Sequence, residues 1–318
     1  MTRSTTPPAI RVAGLRKSYG KQVVLDGIDL EVPAGSVFAL LGPNGAGKTT
    51  TINILTTLIG ADGGEVQVAG HDLRTDPDGV RASIGVTGQF SAVDRFLTGE
   101  ENLLLMANLR HVERGEGRRR AAELLEQFDL TDAARKPVST LSGGMQRKLD
   151  LAMTLVGLPR IIFLDEPTAG LDPRSRRTMW QVIRDLVASG ITIFLTTQYL
   201  EEADRLADQI AVLDHGRIVA LGTPSELKRL VPGGHVRLEF SDAVQLERAA
   251  RRFAGSSRDE ESLALLVPSD GGVGSIRALL DELEEAAIAV EGLAVRTPDL
   301  DDVFLSLTGQ PDASKGAA

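Results

Sequence analysis

One segment, residues 37–55, constrains the fold of this chain more than any other. It consists of an apolar run, VFALL, followed by GPNGAGKTT and then by TINIL. The glycine-rich stretch fits the pattern G-x-x-x-x-G-K-[ST] between a buried strand and a helix. In that context glycines turn the backbone tightly, and several N–H groups at the helix start converge on one anion. The segment therefore predicts an α/β fold with a phosphate-binding loop (P-loop) after a strand.

Each position of this loop has an expected role in binding a nucleoside triphosphate. Lys48 can reach the β and γ phosphates, and the hydroxyl of Thr49 can bind Mg²⁺. A glycine-rich turn that fits the pattern by chance is the alternative, and the apolar strand and helix on either side argue against it. The remaining loop positions are expected to surround the phosphates: Gly42, Pro43, Asn44, Gly45, Ala46, Gly47 and Thr50.

A second apolar run, residues 161–164, ends at the acidic pair Asp165 and Glu166. A wholly apolar run is typical of a central strand in a parallel sheet, and ligands bind at the carboxyl ends of such strands. Asp165 can then hold Mg²⁺, while Glu166 orients a water molecule for attack on the γ-phosphate. An acidic pair after a strand is more often a solvated loop, but its place after a phosphate loop favours the catalytic interpretation.

The segment LSGGMQ, residues 141–146, lies between these two motifs and is absent from most P-loop proteins. A serine followed by two glycines at a helix start offers a hydroxyl and unobstructed N–H groups to an anion. Taken alone, it could equally be an ordinary N-capped loop. With the other motifs in this order, residues 10–230 resemble the nucleotide-binding domain of an ATP-binding cassette (ABC) transporter. The resemblance implies that Ser142, Gly143 and Gly144 bind the γ-phosphate of ATP held by the opposite subunit.

Four further positions match the family through their register with these motifs. Tyr19 resembles the aromatic residue on which adenine stacks. Gln89 resembles the glutamine that contacts Mg²⁺ or the attacking water and senses the membrane partner. Asp172 resembles the residue of the loop that couples the two sites of the dimer. Gln198 stands where the family usually has a histidine that contacts the γ-phosphate, and an amide there would be a neutral hydrogen-bond donor.

The chain is long enough for two domains. We expect a flexible N-terminus over residues 1–9, an ABC ATP-binding domain over 10–230, a C-terminal α+β assembly or regulatory domain over 231–308, and a disordered tail over 309–318. The boundary follows from the turn-rich sequence VPGG at residues 231–234.

Hydrophobic periodicity predicts the elements around the motifs. A helical subdomain is expected at residues 98–112 and 118–128, between the P-loop and LSGG. In the C-terminal domain a β-α-β-α-β order suggests a small ferredoxin-like fold with a last helix at 300–307. The five elements of that order are expected at residues 236–240, 243–253, 262–267, 276–287 and 290–295.

Composition limits the classes of partner. No apolar run approaches the roughly 18 residues that a membrane helix needs, and the start lacks the apolar core of a secretory signal. The chain has no cysteine, which excludes thiol chemistry and cysteine-bound zinc. Nearly all of the net charge of −9 lies beyond residue 230, and no basic stripe occurs, so we expect no nucleic-acid partner. ATP use without an export signal favours a peripheral place on the cytoplasmic side of the membrane.

Three further segments limit the resemblance to one group of proteins within the ABC superfamily. The segments VTGQFSAVDRFLTGEENL, TTQYLEEAD and TPDLDDVFLSLTG resemble the ATP-binding subunits of daunorubicin/doxorubicin-resistance exporters, including the unusual Gln198. The resemblance implies an ATP-sandwich homodimer and a separate multi-helix permease that exports hydrophobic drugs. We expect the permease to contact Phe90 and Val93, which are apolar residues in an otherwise polar loop. The alternative is that these two side chains pack into the core.

Other classes of protein remain as alternatives. A soluble ABC ATPase of DNA repair or translation would carry a long coiled coil or a second cassette, and the sequence shows neither. A P-loop kinase or GTPase would lack LSGG. An ABC subunit for another cargo, such as lipid or polysaccharide, stays open, because no residue identifies the cargo.

Overall fold

The computed structural model describes residues 7–88, 92–231, 234–260, 262–296 and 298–308. The chain divides into two compact units, Met1–Pro224 and Ser225–Ala318. Most of the predicted N-terminal segment, residues 1–6, and the predicted tail, residues 309–318, lie outside the described residues. None of the helices in the described ranges is long and apolar enough to cross a membrane.

The first unit is an α/β structure. Its strands are β1 (Ile10–Tyr19), β2 (Gln22–Val32), β3 (Val37–Leu41), β4 (Gly63–Val68), β5 (His71–Asp72), β6 (Ile84–Thr87), β7 (Ile161–Asp165), β8 (Thr192–Thr197), β9 (Gln209–Asp214) and β10 (Arg217–Gly222). Its helices are α1 (Lys48–Leu55), α2 (Pro77–Ser83), α3 (Gly99–Leu109), α4 (Arg114–Gln127), α5 (Gly143–Leu155), α6 (Pro173–Ala188) and α7 (Leu200–Leu206), and α8 (Pro224–Lys228) follows at the division.

The larger sheet has the strand order β10-β9-β3-β8-β7-β6, and only β10 runs antiparallel to its neighbour. β3 and β7 are buried along their whole length, as their apolar sequences predict for central strands. The smaller sheet, β2-β1-β4-β5, is antiparallel. Because β3, β7 and β8 are parallel, the loops after them leave the sheet at one edge.

Three phenylalanines pack against one another across the neighbouring strands β3, β8 and β7. Phe194 of β8 pairs in register with Phe38 of β3 and with Phe163 of β7. The ring centroids are 5.4 Å apart for the first pair and 5.5 Å for the second, and all three rings are buried. Each buried ring contributes about 1.5–3 kcal/mol. A slip of one residue would turn every side chain of a strand to the other face, so the stack fixes the register of the strands.

The predicted helical subdomain is confirmed as α3 and α4. α3 begins after a capping box in which the hydroxyl of Thr98 accepts the N–H of Glu101 while the Glu101 carboxylate accepts the N–H of Thr98. α4 begins four residues earlier than predicted. The reason is that the Glu113 carboxylate accepts the N–H groups of Gly115 and Glu116 and so caps the helix there.

The second unit is a small α+β fold. Its elements are β11 (His235–Glu239), α9 (Ala243–Arg252), β12 (Ser257–Asp259), β13 (Ala264–Pro268), α10 (Val273–Glu285), β14 (Gly292–Arg296) and α11 (Leu300–Thr308). The strands form an antiparallel sheet in the order β12-β13-β11-β14, which is the split β-α-β arrangement of ferredoxin-like folds. β12 was not predicted, because its sequence, SRD, has no apolar residue.

Candidate nucleotide-binding and catalytic site

The loop between β3 and α1 is packed so closely that two of its positions require glycine. A Cβ at Gly42 would lie 2.3 Å from the carbonyl oxygen of Leu213. Gly47 has a φ of +112°, and a Cβ there would lie 2.6 Å from a methyl carbon of Leu25. Neighbouring strands therefore fix the path of the loop that leads into α1, whose first N–H groups are free to bind an anion.

Lys48, the first residue of α1, is buried beneath this loop. Its Nζ donates to the carbonyl oxygens of Gly42, at 2.8 Å, and Pro43, at 3.1 Å. It also lies 3.9 Å from Oε1 of Glu166. Burial lowers the pKa of Lys48, whereas the charges of Glu166 and Asp165 raise it in part. The structure thus brings the predicted phosphate-binding lysine to the predicted catalytic carboxylate.

Asp165, the last residue of β7, is held by two hydroxyl groups. Thr49 Oγ1 donates to its Oδ2 at 3.1 Å, and the hydroxyl of Thr196 donates to its Oδ1. Thr49 and Asp165 therefore place a hydroxyl and a carboxylate oxygen side by side on two different elements. Oxygen ligands of this kind are those that Mg²⁺ prefers, so the donor set fits the metal that the sequence predicts.

Glu166 adopts a left-handed backbone conformation with φ of +48°. Its N–H donates to Thr196, to the carbonyl oxygen at 3.1 Å and to Oγ1 at 3.3 Å, which holds the turn in place. The exposed Gln198 donates from Nε2 to Oε2 of Glu166 at 3.4 Å. Non-glycine residues in this region cost about 1–3 kcal/mol and cluster at active sites. The two residues that the sequence predicts separately are thus in contact.

Ser142 caps α5, because its Oγ accepts the N–H of Met145 at 3.3 Å. Asp172 caps α6 by accepting the N–H groups of Arg174 and Ser175. The hydrogen bond from the Ser175 hydroxyl, together with these two N–H groups, lowers the pKa of Asp172. The two helix starts are neighbours, because a Cβ at Gly144 would lie 2.8 Å from Ser175 Oγ. Ser142 and Asp172 are exposed and are not among the residues that contact Lys48 or Glu166 in the described chain.

Tyr19, at the end of β1, is 52% exposed and is therefore not a core residue. Lys17 Nζ lies 5.5 Å from the centroid of its ring, and Asp62 holds this lysine at 2.9 Å. The predicted Gln89 lies outside the described residues, as does Phe90 of the predicted permease contact.

The prediction that Val93 is exposed is wrong, because this side chain is buried. Three residues further along the chain, Phe96 is 94% exposed. Its N–H donates to the Asp94 carboxylate at 2.9 Å, which forms a turn that points the ring outward. The Asp two positions before Phe96 was the sequence signal for this turn.

Similarity to known proteins identifies the family to which this chain belongs. A family model described as "ABC transporter" matches residues 25–169. Daunorubicin resistance ATP-binding protein DrrA2 of Streptomyces coeruleorubidus is 47% identical over 306 residues, which cover 95% of each chain. The chain belongs to the ABC transporter family. Its first unit carries the ABC-type ATPase fold.

Two more similarities extend this assignment. Doxorubicin resistance ATP-binding protein DrrA of Mycobacterium tuberculosis is 45% identical over 316 residues, which cover 96% of this chain and 95% of that protein. A solved structure of the ATP-binding subunit of an ABC transporter superposes with a TM-score of 0.62 at 30% identity, covering 70% of this chain and 92% of the other. The chain is thus an ABC-type ATP-binding protein and ATPase.

Sequence reasoning missed a buried acid near the site. Glu202 of α7 is fully buried, and its Oε1 accepts from Thr168 Oγ1 at 2.7 Å and from Trp180 Nε1 at 3.2 Å. Thr168 lies two residues after Glu166, so the Glu202 carboxyl holds the turn that carries the predicted catalytic residue. The available signal was helical spacing, which puts Glu202 on the same face as the buried Leu206.

We expect Glu202→Gln to change how stability depends on pH. Burial raises the pKa of Glu202, so the folded chain keeps its proton to higher pH than the unfolded chain does. The contribution to stability is therefore complete below the unfolded pKa of about 4.3 and is lost as pH rises through the folded pKa. Glutamine keeps the accepting oxygen but does not titrate.

Thermal unfolding of both proteins between about pH 4.5 and 8 measures the effect. The stability of the wild type relative to the variant should fall as pH rises across this range. If the difference in stability between the wild type and Glu202→Gln does not depend on pH, the pKa of Glu202 is not raised in the folded chain.

Proposed function

We propose that this chain is the ATP-hydrolysing subunit of an ABC exporter that moves hydrophobic drugs of the anthracycline kind through a separate membrane permease. The observation that carries the proposal is the contact chain that joins Lys48, Glu166 and Gln198 beside the Thr49–Asp165 pair. Support for the cargo comes from the daunorubicin and doxorubicin resistance proteins, which match both units of the chain.

In the proposed reaction Lys48, Glu166 and Gln198 each have a separate role. Lys48 moves from the loop carbonyls to the γ-phosphate and neutralises its charge. Glu166 accepts a hydrogen bond from the attacking water and orients it toward phosphorus. Gln198, already beside Glu166, donates its amide N–H to a γ-phosphate oxygen.

Thr49 and Asp165 are the residues that would hold Mg²⁺. The bound ion would supply positive charge beside the β and γ phosphates. Tyr19, as the exposed aromatic side chain at the end of β1, would stack against adenine.

The exposed starts of α5 and α6 support the proposal of a homodimer. At α5 a Cβ at Gly143 would meet no atom within 4 Å, so an anion could approach the helix start at this residue. In the proposed dimer, a γ-phosphate is bound by Lys48 of one copy and by Ser142 of the second. Asp172 at the start of α6 would lie in the same interface.

The permease is proposed to contact Phe96, and Phe96→Asp tests this. An exposed aromatic ring is a common anchor in protein interfaces, and a carboxylate in its place would be desolvated on docking. We expect the variant to leave the membrane fraction while its ATP affinity stays within about twofold of the wild type, a change of less than about 0.5 kcal/mol. Membrane fractionation and binding of a fluorescent ATP analogue measure the two quantities.

The matched control for this test is Leu158→Asp. Leu158 is also an exposed apolar residue, but it lies between α5 and β7 with φ of +51°, a conformation that aspartate tolerates. The control should stay with the membrane. If Phe96→Asp stays there too, this surface does not bind the permease.

The export proposal itself is tested on the complex. A tagged chain is captured from solubilised membranes, the co-purifying multi-helix protein is identified, and the pair is rebuilt in vesicles. We expect daunorubicin to raise ATP hydrolysis and to cross the vesicle membrane only when ATP is present. A pair that hydrolyses ATP but responds only to a lipid or polysaccharide would contradict the drug assignment and leave the ATPase assignment intact.

A further inference from the structure

Arg147 occupies a central position that the proposed reaction does not use. It lies on α5, in the turn after the signature glycines, and its side chain is only 13% exposed. Its Nε donates to the carbonyl oxygen of Pro167 at 2.9 Å, and Nη2 lies 3.3 Å from that of Asp165 and 3.5 Å from that of Glu166. One guanidinium thus binds the backbone of the whole catalytic turn.

The same guanidinium reaches a second loop. Its Nη1 donates to the carbonyl oxygen of Gly88 at 3.1 Å and to Oδ2 of Asp150 at 3.3 Å. Asp150, one turn further along α5, is buried, and its Oδ1 accepts the N–H of Ala92 at 3.1 Å. The pair therefore contacts both described residues that flank the segment 89–91, in which the predicted sensor Gln89 lies.

We propose that Arg147 and Asp150 are positioning residues that couple Gly88 and Ala92 to the catalytic turn of Glu166 through the signature helix α5. This inference rests on the proposed function. The planar, five-donor guanidinium can bind several carbonyl groups at fixed angles, which a flexible ammonium cannot do. A shift of Gly88 or Ala92 against α5 is thus passed to the backbone of Glu166.

The energetics explain why the pair forms a rigid link. A buried guanidinium is tolerated only when its donors and its charge are satisfied, and here both the carbonyl groups and Asp150 satisfy them. Neither loop can move away from α5 without leaving part of this buried pair unbound. The three segments therefore move together, and their relative positions determine where Glu166 holds the water.

Two variants separate positioning from simple stabilisation. Arg147→Lys keeps the positive charge but loses the planar guanidinium that binds several carbonyl groups at fixed angles. Arg147→Met with Asp150→Asn removes both charges together, so that no unpaired charge is buried, and asparagine can still accept the N–H of Ala92. The control is Arg120→Lys on α4, because Arg120 is also a largely buried arginine that donates to a backbone carbonyl, that of Val156 at 2.8 Å, away from the site.

Steady-state ATP hydrolysis by the purified full-length proteins is the measurement, together with thermal unfolding and binding of a fluorescent ATP analogue. A misplacement of catalytic groups by about 1 Å can cost about a hundredfold, so we expect kcat to fall about tenfold to a hundredfold in both variants. KM and analogue affinity should stay within about threefold, because the P-loop is untouched. The Arg120→Lys control should keep the wild-type kcat.

The outcomes distinguish this inference from the proposed function. A wild type without ATPase activity would remove the proposed function itself. An active wild type whose two variants turn over at the same rate would overturn only the coupling role. If both variants instead lose ATP binding and cooperative unfolding together, Arg147 and Asp150 have a structural role only, and the inference is also overturned.

Discussion

Glu166→Gln should convert this ATPase into a form that binds ATP, pairs with a second copy and turns over very slowly. Removal of a group that activates the attacking water typically costs about 10²–10⁴ in rate. Glutamine has the shape of glutamate, and residue 166 contacts Thr196 only through its own backbone N–H. The strained turn is therefore expected to persist, and Lys48, freed from a carboxylate 3.9 Å away, should bind the γ-phosphate at least as well.

The measurement is the molar mass in solution with and without saturating Mg²⁺–ATP, alongside the hydrolysis rate. The variant should double its mass on adding ATP, because unhydrolysed ATP remains between Lys48 of one copy and Ser142 of the other. Glu126→Gln, which alters an exposed carboxylate on α4, is the matched control and should behave like the wild type. A variant that hydrolyses ATP normally, or remains a monomer with ATP bound, would refute the assignment.

Gln198→Ala should also slow hydrolysis strongly. The amide of Gln198 lies 3.4 Å from Oε2 of Glu166, where its N–H can orient that carboxylate and reach a γ-phosphate oxygen. Loss of one transition-state donor costs about tenfold to a thousandfold in kcat. Gln127→Ala, an exposed glutamine on α4, provides the control. If Gln198→Ala keeps the wild-type rate, Gln198 does not contact the γ-phosphate.

Gln198→His gives the complementary result. An imidazole can still donate to the phosphate, so activity should survive, but it adds a titrating group. The unperturbed pKa is about 6.5, and a neighbouring carboxylate such as Glu166 favours the charged ring and raises it. Rates measured from about pH 6 to 9 should therefore show a step that the wild type lacks. Parallel pH profiles for the two proteins would contradict this placement of residue 198.

The parts of the site that could be predicted from sequence follow from strand geometry. Lys48, Asp165 and Gln198 each follow an apolar run, and parallel strands bring their carboxyl ends to one edge whatever the loops do. The contact between Gln198 and Glu166 then needs only the correct strand order. The residue roles remain predictions, but the placement that they require is confirmed for these residues.

Other features depend on tertiary contacts that local patterns do not encode. The carbonyl groups bound by Arg147 come from two distant loops, so nothing near residue 147 in the sequence marks them. Val93 was predicted to be exposed because it is an apolar residue in a polar segment, but its burial depends on tertiary packing, and the exposed Phe96 was not singled out. β12 was missed because backbone pairing with β13, rather than side-chain pattern, makes it a strand.

The packed rings of Phe38, Phe194 and Phe163 have a consequence for which parts of the ATPase are held by the core. Lys48 lies in the helix that follows strand β3 and Asp165 ends strand β7, and these packed rings keep those strands in one register. Ser142 and Asp172 instead begin helices that are held at their starts by caps worth about 1 kcal/mol each. The phosphate- and metal-binding residues are therefore anchored in the core of the first unit, whereas the proposed contact with a second copy uses two helix starts at its surface.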